Sequence, residues 1–258
     1  MKVRLGTGLV VGALILLLLG GNVGGADFRV ENKVFFGNQE QPTSETTTIF
    51  CDGVVHDYLK QPPEVTVFDV PQGRIVLLDL TRRVKAELTT KEITDFSRRI
   101  KQWADARTDP LTRFLANPQF KQEFNADSHE LTFRSPWLTY RVSPIDVKNQ
   151  EFAHQYHRFS DWQARLNTLI DPRGTRLPFA RMIVNAELAR RGKLPGEVRL
   201  TLTLNKGFPT KRVTLRSEHR LSDRLVESDR RCVTQTGRFL TMFSAVSFDE
   251  YQREFNDR

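Results

Sequence analysis

The chain has 258 residues, of which 39 % are hydrophobic and 27 % are charged. This balance, with 18 phenylalanines, provides enough apolar surface for a core and excludes global disorder and disulfide-stapled miniproteins. The formal net charge is +8, and the basic doublets are interleaved with acidic residues. This pattern is typical of a solvated surface of both signs, so nucleic-acid binding is not expected. Weak contact with anionic lipid head groups is compatible with the charge.

The first 26 residues differ from the rest of the chain. Lys2 and Arg4 precede the apolar run Leu9–Leu19, and small residues stand three and one positions before residue 27. This pattern predicts a cleaved export signal over residues 1–26, with an uncleaved membrane anchor as the alternative. We therefore expect a protein of the periplasm or cell envelope, whose residues 27–258 form a single α+β domain.

Two cysteines, Cys51 and Cys232, lie near opposite ends of the predicted mature chain. Exported proteins with an even number of cysteines usually oxidise them, so the sequence predicts a disulfide between these two. Two buried free thiols are the alternative. Neither cysteine has a second cysteine nearby in the sequence, which argues against a Cys-x-x-Cys redox or zinc site.

Runs rich in Val, Ile, Thr and Phe predict a meander of strands at Thr46–Leu59, Glu64–Val70, Arg74–Leu80 and Arg82–Leu88. The links between them are too short for parallel crossovers, so the strands should be antiparallel. The two middle strands are apolar on both faces. They must therefore be covered on both sides or have one side facing an apolar cavity.

Capping residues and apolar spacings of three and four predict helices at Glu92–Ala104, from Pro110 to before Pro118, at Asn149–Ile170, at Pro178–Arg191 and after Ser247. Further strands are predicted at Glu130–Arg134, Trp137–Val142, Val198–Leu204, Arg212–Glu218 and His219–Leu225. The expected fold is α+β, with one strongly curved antiparallel sheet. The helices should pack on one side of this sheet, with the first and third against its concave face.

One group of side chains has the spacing of metal ligands. Glu151, His154 and His157 follow one another at intervals of three on a predicted helix, and such side chains can face the same way. The same spacing is common on solvated helix faces, and Phe152, Tyr156 and Phe159 already supply the buried face. We therefore predict no metal and no cofactor.

Other candidate functional residues are carboxylates and aromatics. Asp57, Asp69 and Asp79 lie near strand ends, where they could converge for acid–base chemistry or stabilise turns. Tyr58, Trp137, Tyr140 and Trp162 could line a sugar or lipid site or belong to the core. The sequence lacks a Gly-x-Ser-x-Gly elbow, a phosphate-binding loop and a zinc-protease helix, so catalysis is not favoured.

The meander from Thr46 to Leu88, with VTVFDV at residues 65–70 and RIVLLDL at residues 74–80, is followed by a capped helix. It resembles the opening of the LolA/LppX-like family of envelope lipoprotein and lipid carriers. The stretch from Phe179 to Pro195 also resembles exported proteins of the planctomycete type. The first resemblance implies a half-barrel that binds acyl chains against an apolar lining. The chain differs by the helical insertion Lys148–Arg191, which could fill such a cavity.

These observations predict a non-enzymatic envelope protein that binds lipid or a lipidated polypeptide and touches membranes peripherally. Its apolar lining is predicted at Phe68, Val76, Leu78 and Trp137, because these residues lie on strands whose second apolar face has no evident use. A structural or protein-interaction protein of the envelope with a filled core is one alternative. A metal-dependent hydrolase is another.

Overall fold

The computed structural model describes residues 25–172, 177–204 and 212–256. In these ranges the strands are β1 Phe28–Phe36, β2 Ser44–Cys51, β3 Val54–Leu59, β4 Glu64–Asp69, β5 Arg74–Asp79, β6 Val84–Thr89, β7 Lys121–Asn125, β8 Glu130–Arg134, β9 Leu138–Asp146, β10 Lys193–Thr203, β11 Arg212–Ser222 and β12 Ser244–Ala245. The helices are α1 Thr90–Asp105, α2 Pro110–Ala116, α3 Gln150–Ile170, α4 Phe179–Arg190, α5 Glu227–Met242 and α6 Phe248–Asn256.

The described strands form one large open sheet in the order β12-β6-β5-β4-β3-β2-β1-β11-β10-β9-β8-β7. Strand β1 pairs with β2 on one side and β11 on the other, so both ends of the chain contribute to the sheet. The pair between β12 and β6 is parallel, whereas the other pairs are antiparallel. The α+β class is confirmed, but the sheet is mixed and not wholly antiparallel as predicted.

Three of the strand predictions differ from the structure. The segment Thr46–Leu59 is a hairpin of β2 and β3, because Asp52 and Gly53 turn the chain with φ angles of 51° and 78°. The segment between residue 27 and Thr46, for which the sequence predicted no strand, contains β1, a central strand. Residues 212–225 contain the single strand β11, which ends at Ser222, where two strands were predicted.

Helices α1 and α3 cover one face of β1 to β6. Phe28 and Phe50 stack with ring centroids 4.0 Å apart, and Phe159 of α3 meets the edge of Phe68 at 5.2 Å. Thr89 caps α1 by accepting a hydrogen bond from the Glu92 amide at 3.1 Å, while the Glu92 carboxylate accepts from the Thr89 amide. The predicted capping box is therefore confirmed, and α1 and α3 pack on the same face of the sheet.

The same face continues across β8, β9 and β10, where α2 and α4 pack. Cross-strand pairs such as Val198 with Val142 place their side chains on this face. They form a second apolar cluster with Phe114 of α2 and with Val184 and Leu188 of α4. Helices α1 to α4 thus share one side of the sheet.

Helix α5 lies on the opposite face, which corrects the prediction that all helices pack on one side. Phe239, Leu240 and Phe243 cover Val76 and Leu78 of β5. Polar contacts attach the helix to the sheet as well, since the Tyr58 hydroxyl lies 3.0 Å from Thr236 Oγ1 and the Lys85 amine donates to the carbonyl of Leu240. The middle strands are apolar on both faces because helices cover both faces.

Within the described ranges, no helix has the length and apolar character needed to cross a membrane.

Candidate functional site

A cavity of about 290 Å³, here called the polar chamber, lies between the sheet and helices α3 and α4. Strands β1, β2, β3 and β11 form its floor, and the two helices form its roof. It is lined by Asn32, Val34, Ser44, Thr46, Thr48, Asp57, Tyr156, Phe159, Ser160, Gln163, Ala164, Asn167, Arg181, Ser217 and His219. Its size is close to the lower limit for small-molecule pockets, about 300 Å³.

The floor is polar because core-facing positions on neighbouring strands carry polar residues. Asn32 of β1 stands opposite Thr46 of β2 and His219 of β11. Thr48 stands opposite Asp57 in the next row. These positions share the face that Phe28 and Phe50 occupy farther along the same strands. Polar groups on a buried face cost free energy unless they are satisfied, so such a patch is characteristic of a binding site.

Asp57 is the buried carboxylate of the polar chamber. Only 7 % of the residue is exposed, and one carboxylate oxygen accepts a hydrogen bond from the Thr48 hydroxyl at 2.7 Å. Burial raises the pKa of Asp57 to about 6, and the Thr48 hydrogen bond opposes the shift. Asp57 is therefore mostly ionised near pH 7. Among the described residues, no cation lies beside it to neutralise the charge.

His219 is the second buried titratable group. Burial and the nearby Arg181 lower its pKa to about 3, while a hydrogen bond to the backbone at Gly196 opposes the shift. Nδ1 of His219 is buried without a hydrogen-bond partner among the described residues. The ring is thus neutral near pH 7, and because its other nitrogen donates to Gly196, Nδ1 is left as an acceptor.

Arg181 and Tyr156 complete the set of titratable groups that line the polar chamber. Arg181, on the first turn of α4, forms no ion pair with any described residue. Tyr156 of α3 is buried, and burial raises its pKa; Arg181 opposes this shift and Asp57 adds to it. The chamber therefore presents one guanidinium, one carboxylate and neutral hydrogen-bonding groups near pH 7.

A second cavity of about 320 Å³, here called the apolar chamber, adjoins the polar one. The two share five lining residues: Val34, Ala164, Asn167, Arg181 and Ser217. The rest of its wall is mostly apolar and comprises Tyr140, Leu177, Pro178, Val198, Leu200, Leu215 and Arg216. Together the chambers form a site with a polar end and an apolar end.

The four predicted lining residues do not line a common cavity. Phe68 borders a third cavity of about 360 Å³ on the other side of Phe159, together with Trp162. Val76 and Leu78 lie on the opposite face of the sheet, under α5. Trp137 packs on Phe114 at 5.1 Å between ring centroids. Phe68 pairs with Ile75 of β5 and shares its face. Val76 and Leu78 face the opposite side, because successive side chains along a strand point to opposite faces.

The three candidate aspartates also lie apart. Asp69 accepts a hydrogen bond from Arg74 at 3.0 Å. Asp79 accepts hydrogen bonds from the backbone amides of Thr81 and Arg82, as expected of a turn aspartate. Of the three, Asp57 alone lines the polar chamber, so the paired acid–base arrangement is not formed.

The helical metal candidate is not assembled either. Glu151 pairs with Arg158 at 3.0 Å, His157 lies 3.5 Å from Asp161, and His154 is exposed. Among the described residues, the potential ligands that do come together are Asp27, Cys51 and Asp52. Arg230 already neutralises Asp27 at 3.3 Å.

Both cysteines are free thiols in this structure, so the predicted disulfide is not formed. Cys51 is buried and Cys232 is exposed. Burial and the carboxylates of Asp27 and Asp52 raise the pKa of the Cys51 thiol to about 11. Cys51 is therefore a poor nucleophile in the folded protein.

Sequence reasoning missed Arg181, His219 and Gln163 as site residues. One signal was present: Asn32 interrupts the core-facing positions of β1, which otherwise carry Phe28, Val30 and Val34. This signal could be interpreted only once residues 28–36 were recognised as a strand. No protein-family model matches the sequence, and no curated protein is significantly similar to it.

Proposed function

We propose that this protein is a non-enzymatic binding protein for an amphipathic ligand, a lipid or the lipid-bearing part of a lipidated polypeptide. The observation that carries the proposal is the junction of the two chambers at Ala164, Asn167 and Arg181. A ligand with a polar head and an apolar chain matches both ends. The head lies in the polar chamber, and the chain lies against Tyr140, Leu200 and the rest of the apolar wall.

The two ends play different energetic roles in this proposal. Each buried methylene of the chain contributes about 0.8 kcal/mol through the hydrophobic effect, which supplies affinity without a fixed residue motif. The polar groups of the head are hydrogen-bonded by residues that otherwise stay unsatisfied, which supplies orientation. The third cavity, beside Phe68, shares only Phe159 with the polar chamber and is a less direct continuation.

The alternative of a structural or interaction protein with a filled core has support in one part of the molecule. Over β1 to β4 the rings of Phe28, Phe50, Phe152 and Phe159 pack closely, with centroids 4.0 Å to 5.6 Å apart. That region is filled by the helical insertion. The chambers lie beside it, under the C-terminal part of α3, so packing there leaves room for the ligand.

The proposal retains the half-barrel geometry, in which the sheet curves around α3, and the export of the mature chain to the periplasm or cell envelope. A single open sheet with α1 to α4 on one face supports the first of these. The apolar segment Leu9–Leu19 behind Lys2 and Arg4 supports the second.

Native mass spectrometry of protein purified without detergent tests the proposal. We expect a co-purifying lipid at up to one molecule per chain, released by organic extraction. Protein that carries no lipid and binds none on incubation with short-chain lipids would support the filled-core alternative and contradict the proposal.

A further inference from the structure

The two charged groups of the polar chamber, Asp57 and Arg181, form no ion pair with any residue in the described part of the chain. Arg181 lies close enough to His219 and Tyr156 to shift their pKa values, whereas the hydrogen-bond partner of Asp57 is Thr48. Tyr156 is affected by both charges, in opposite directions. The chamber thus has a basic group on α4 and an acidic group on β3.

Several hydrogen-bond acceptors of this chamber are unsatisfied. Three lining residues carry a buried acceptor atom without a partner among the described residues: Asn32 Oδ1, Gln163 Oε1 and His219 Nδ1. Gln163 is oriented by donating from Nε2 to Asn167 at 3.4 Å, which leaves its oxygen unsatisfied. A carboxylate and three unsatisfied acceptors favour a ligand that brings positive charge and several N–H donors.

We infer that the polar chamber binds a zwitterionic head group, with an ammonium group at Asp57 and a phosphate at Arg181. This inference rests on the proposed function and identifies the class of head group. An ammonium has three donors and no acceptor, which complements the Asp57 carboxylate and the unsatisfied acceptors of the chamber. A phosphate accepts paired hydrogen bonds from the planar guanidinium. Binding neutralises the buried Asp57 carboxylate and the half-buried Arg181 guanidinium at once, and this neutralisation offsets the cost of burying Asp57.

Isothermal titration calorimetry with three ligands tests the inference. Dihexanoyl-phosphatidylethanolamine carries the ammonium, the phosphate and two short chains; dihexanoyl-phosphatidylglycerol lacks the ammonium; phosphoethanolamine lacks the chains. We expect the ethanolamine lipid to bind about tenfold more tightly than the glycerol lipid, as one charge-assisted hydrogen bond implies. Both lipids should bind more tightly than phosphoethanolamine.

Two variants assign the groups. Asp57→Asn keeps the shape and the Thr48 contact but removes the charge, so it should abolish the preference for the ethanolamine lipid. Arg181→Gln should weaken both lipids about tenfold or more. Asp57→Asn should still bind the glycerol lipid as wild type does, whereas a general loss of folding would abolish binding of both lipids.

Three outcomes would contradict parts of the account, and they are distinguishable. Equal affinity for the two lipids, unaffected by Asp57→Asn, would overturn the head-group inference and leave the amphiphile proposal standing. Binding of phosphoethanolamine as tight as that of its lipid would support the chamber chemistry and contradict the proposed function. Absence of binding by all three would overturn both.

Discussion

His219 and His56 couple the stability of the fold to pH. Burial lowers the pKa of His219 to about 3 and that of His56 to about 4, so both rings are neutral in the folded protein near pH 7. The unfolded chain protonates its histidines below a pH of about 6.5. Stability is therefore lost as the pH falls from about 6.5 towards the folded pKa values. Asp57, with its pKa raised to about 6, acts in the opposite direction below pH 6.

His219→Gln should reduce this acid sensitivity. Glutamine keeps a donor for Gly196 and cannot take up a proton, so the loss of unfolding free energy between pH 7.5 and pH 5 should shrink by about 2 kcal/mol. Urea denaturation at the two pH values measures it. The exposed His154→Gln is the control and should keep the wild-type loss. An equal loss in His219→Gln and wild type would show that His219 is not buried as described.

The two thiols should react at different rates with a thiol reagent. In native protein at pH 8, exposed Cys232 should be labelled first, because Cys51 is buried and its pKa is raised to about 11. Denatured, unreduced protein should yield two thiols per chain. A yield of zero would restore the disulfide predicted from the sequence.

Helix α5 is the element that closes the second face of the sheet. Phe243 stacks on Phe239 with centroids 4.9 Å apart and packs against the strand that carries Val76 and Leu78. Phe243→Ala should lower the unfolding free energy by about 3 kcal/mol, as loss of a buried phenyl ring implies. Its neighbour Met242 is 76 % exposed, so Met242→Ala should change the unfolding free energy by less than about 0.5 kcal/mol. Equal effects would mean that α5 does not cover the sheet.

Elements with a strong local pattern could be predicted from the sequence. The capping residues Thr89 and Glu92 indicate where α1 begins, and apolar spacing predicts α3 from 149 to 170 where the helix is Gln150–Ile170. Helix α5 was missed because its sequence is mostly polar and its buried residues, Asp229 and Thr236, are polar as well. The phenylalanines that pack on the sheet, Phe239 and Phe243, lie near its end and just past it. Strand β1 was missed because its alternating charges resemble an extended polar tail.

The candidate site could not be predicted because it depends on long-range pairing. Asn32 and His219 are far apart in the sequence and meet only through the register of β1 and β11. Asp57 was identified as a candidate, but its role depends on Tyr156 and Arg181 from two helices. The alternation of apolar residues shows which residues of a strand share a face, but it does not show which helix covers that face. Val76 and Leu78 were therefore predicted to line a cavity with Phe68, whereas they lie on the opposite face, under α5.

In the complete fold, the site lies between the two apolar clusters that share one face of the sheet. One cluster packs under α3 and the other under α4, and the chambers lie between these two helices. Filling the junction should therefore prevent binding without disturbing either cluster. Ala164 lines both chambers and is partly buried, so it is suited to this test.

Ala164→Trp should lose lipid binding, measured as the bound fraction in native mass spectrometry after incubation with dihexanoyl-phosphatidylethanolamine. His154→Trp adds the same side chain at an exposed position of the same helix and should bind as wild type does. Unchanged binding by a folded Ala164→Trp protein would mean that the ligand does not occupy the junction.

Photo-crosslinking with a phosphatidylethanolamine that carries a diazirine in its acyl chain shows where the chain of the bound lipid lies. We expect adducts on peptides that contain Tyr140, Leu200 and Leu215, the apolar wall beside Arg181. Unlabelled lipid should compete with this labelling. Adducts confined to the opposite face, at α5, or an absence of competed labelling would contradict the claim that an amphiphile lies between the sheet and helices α3 and α4.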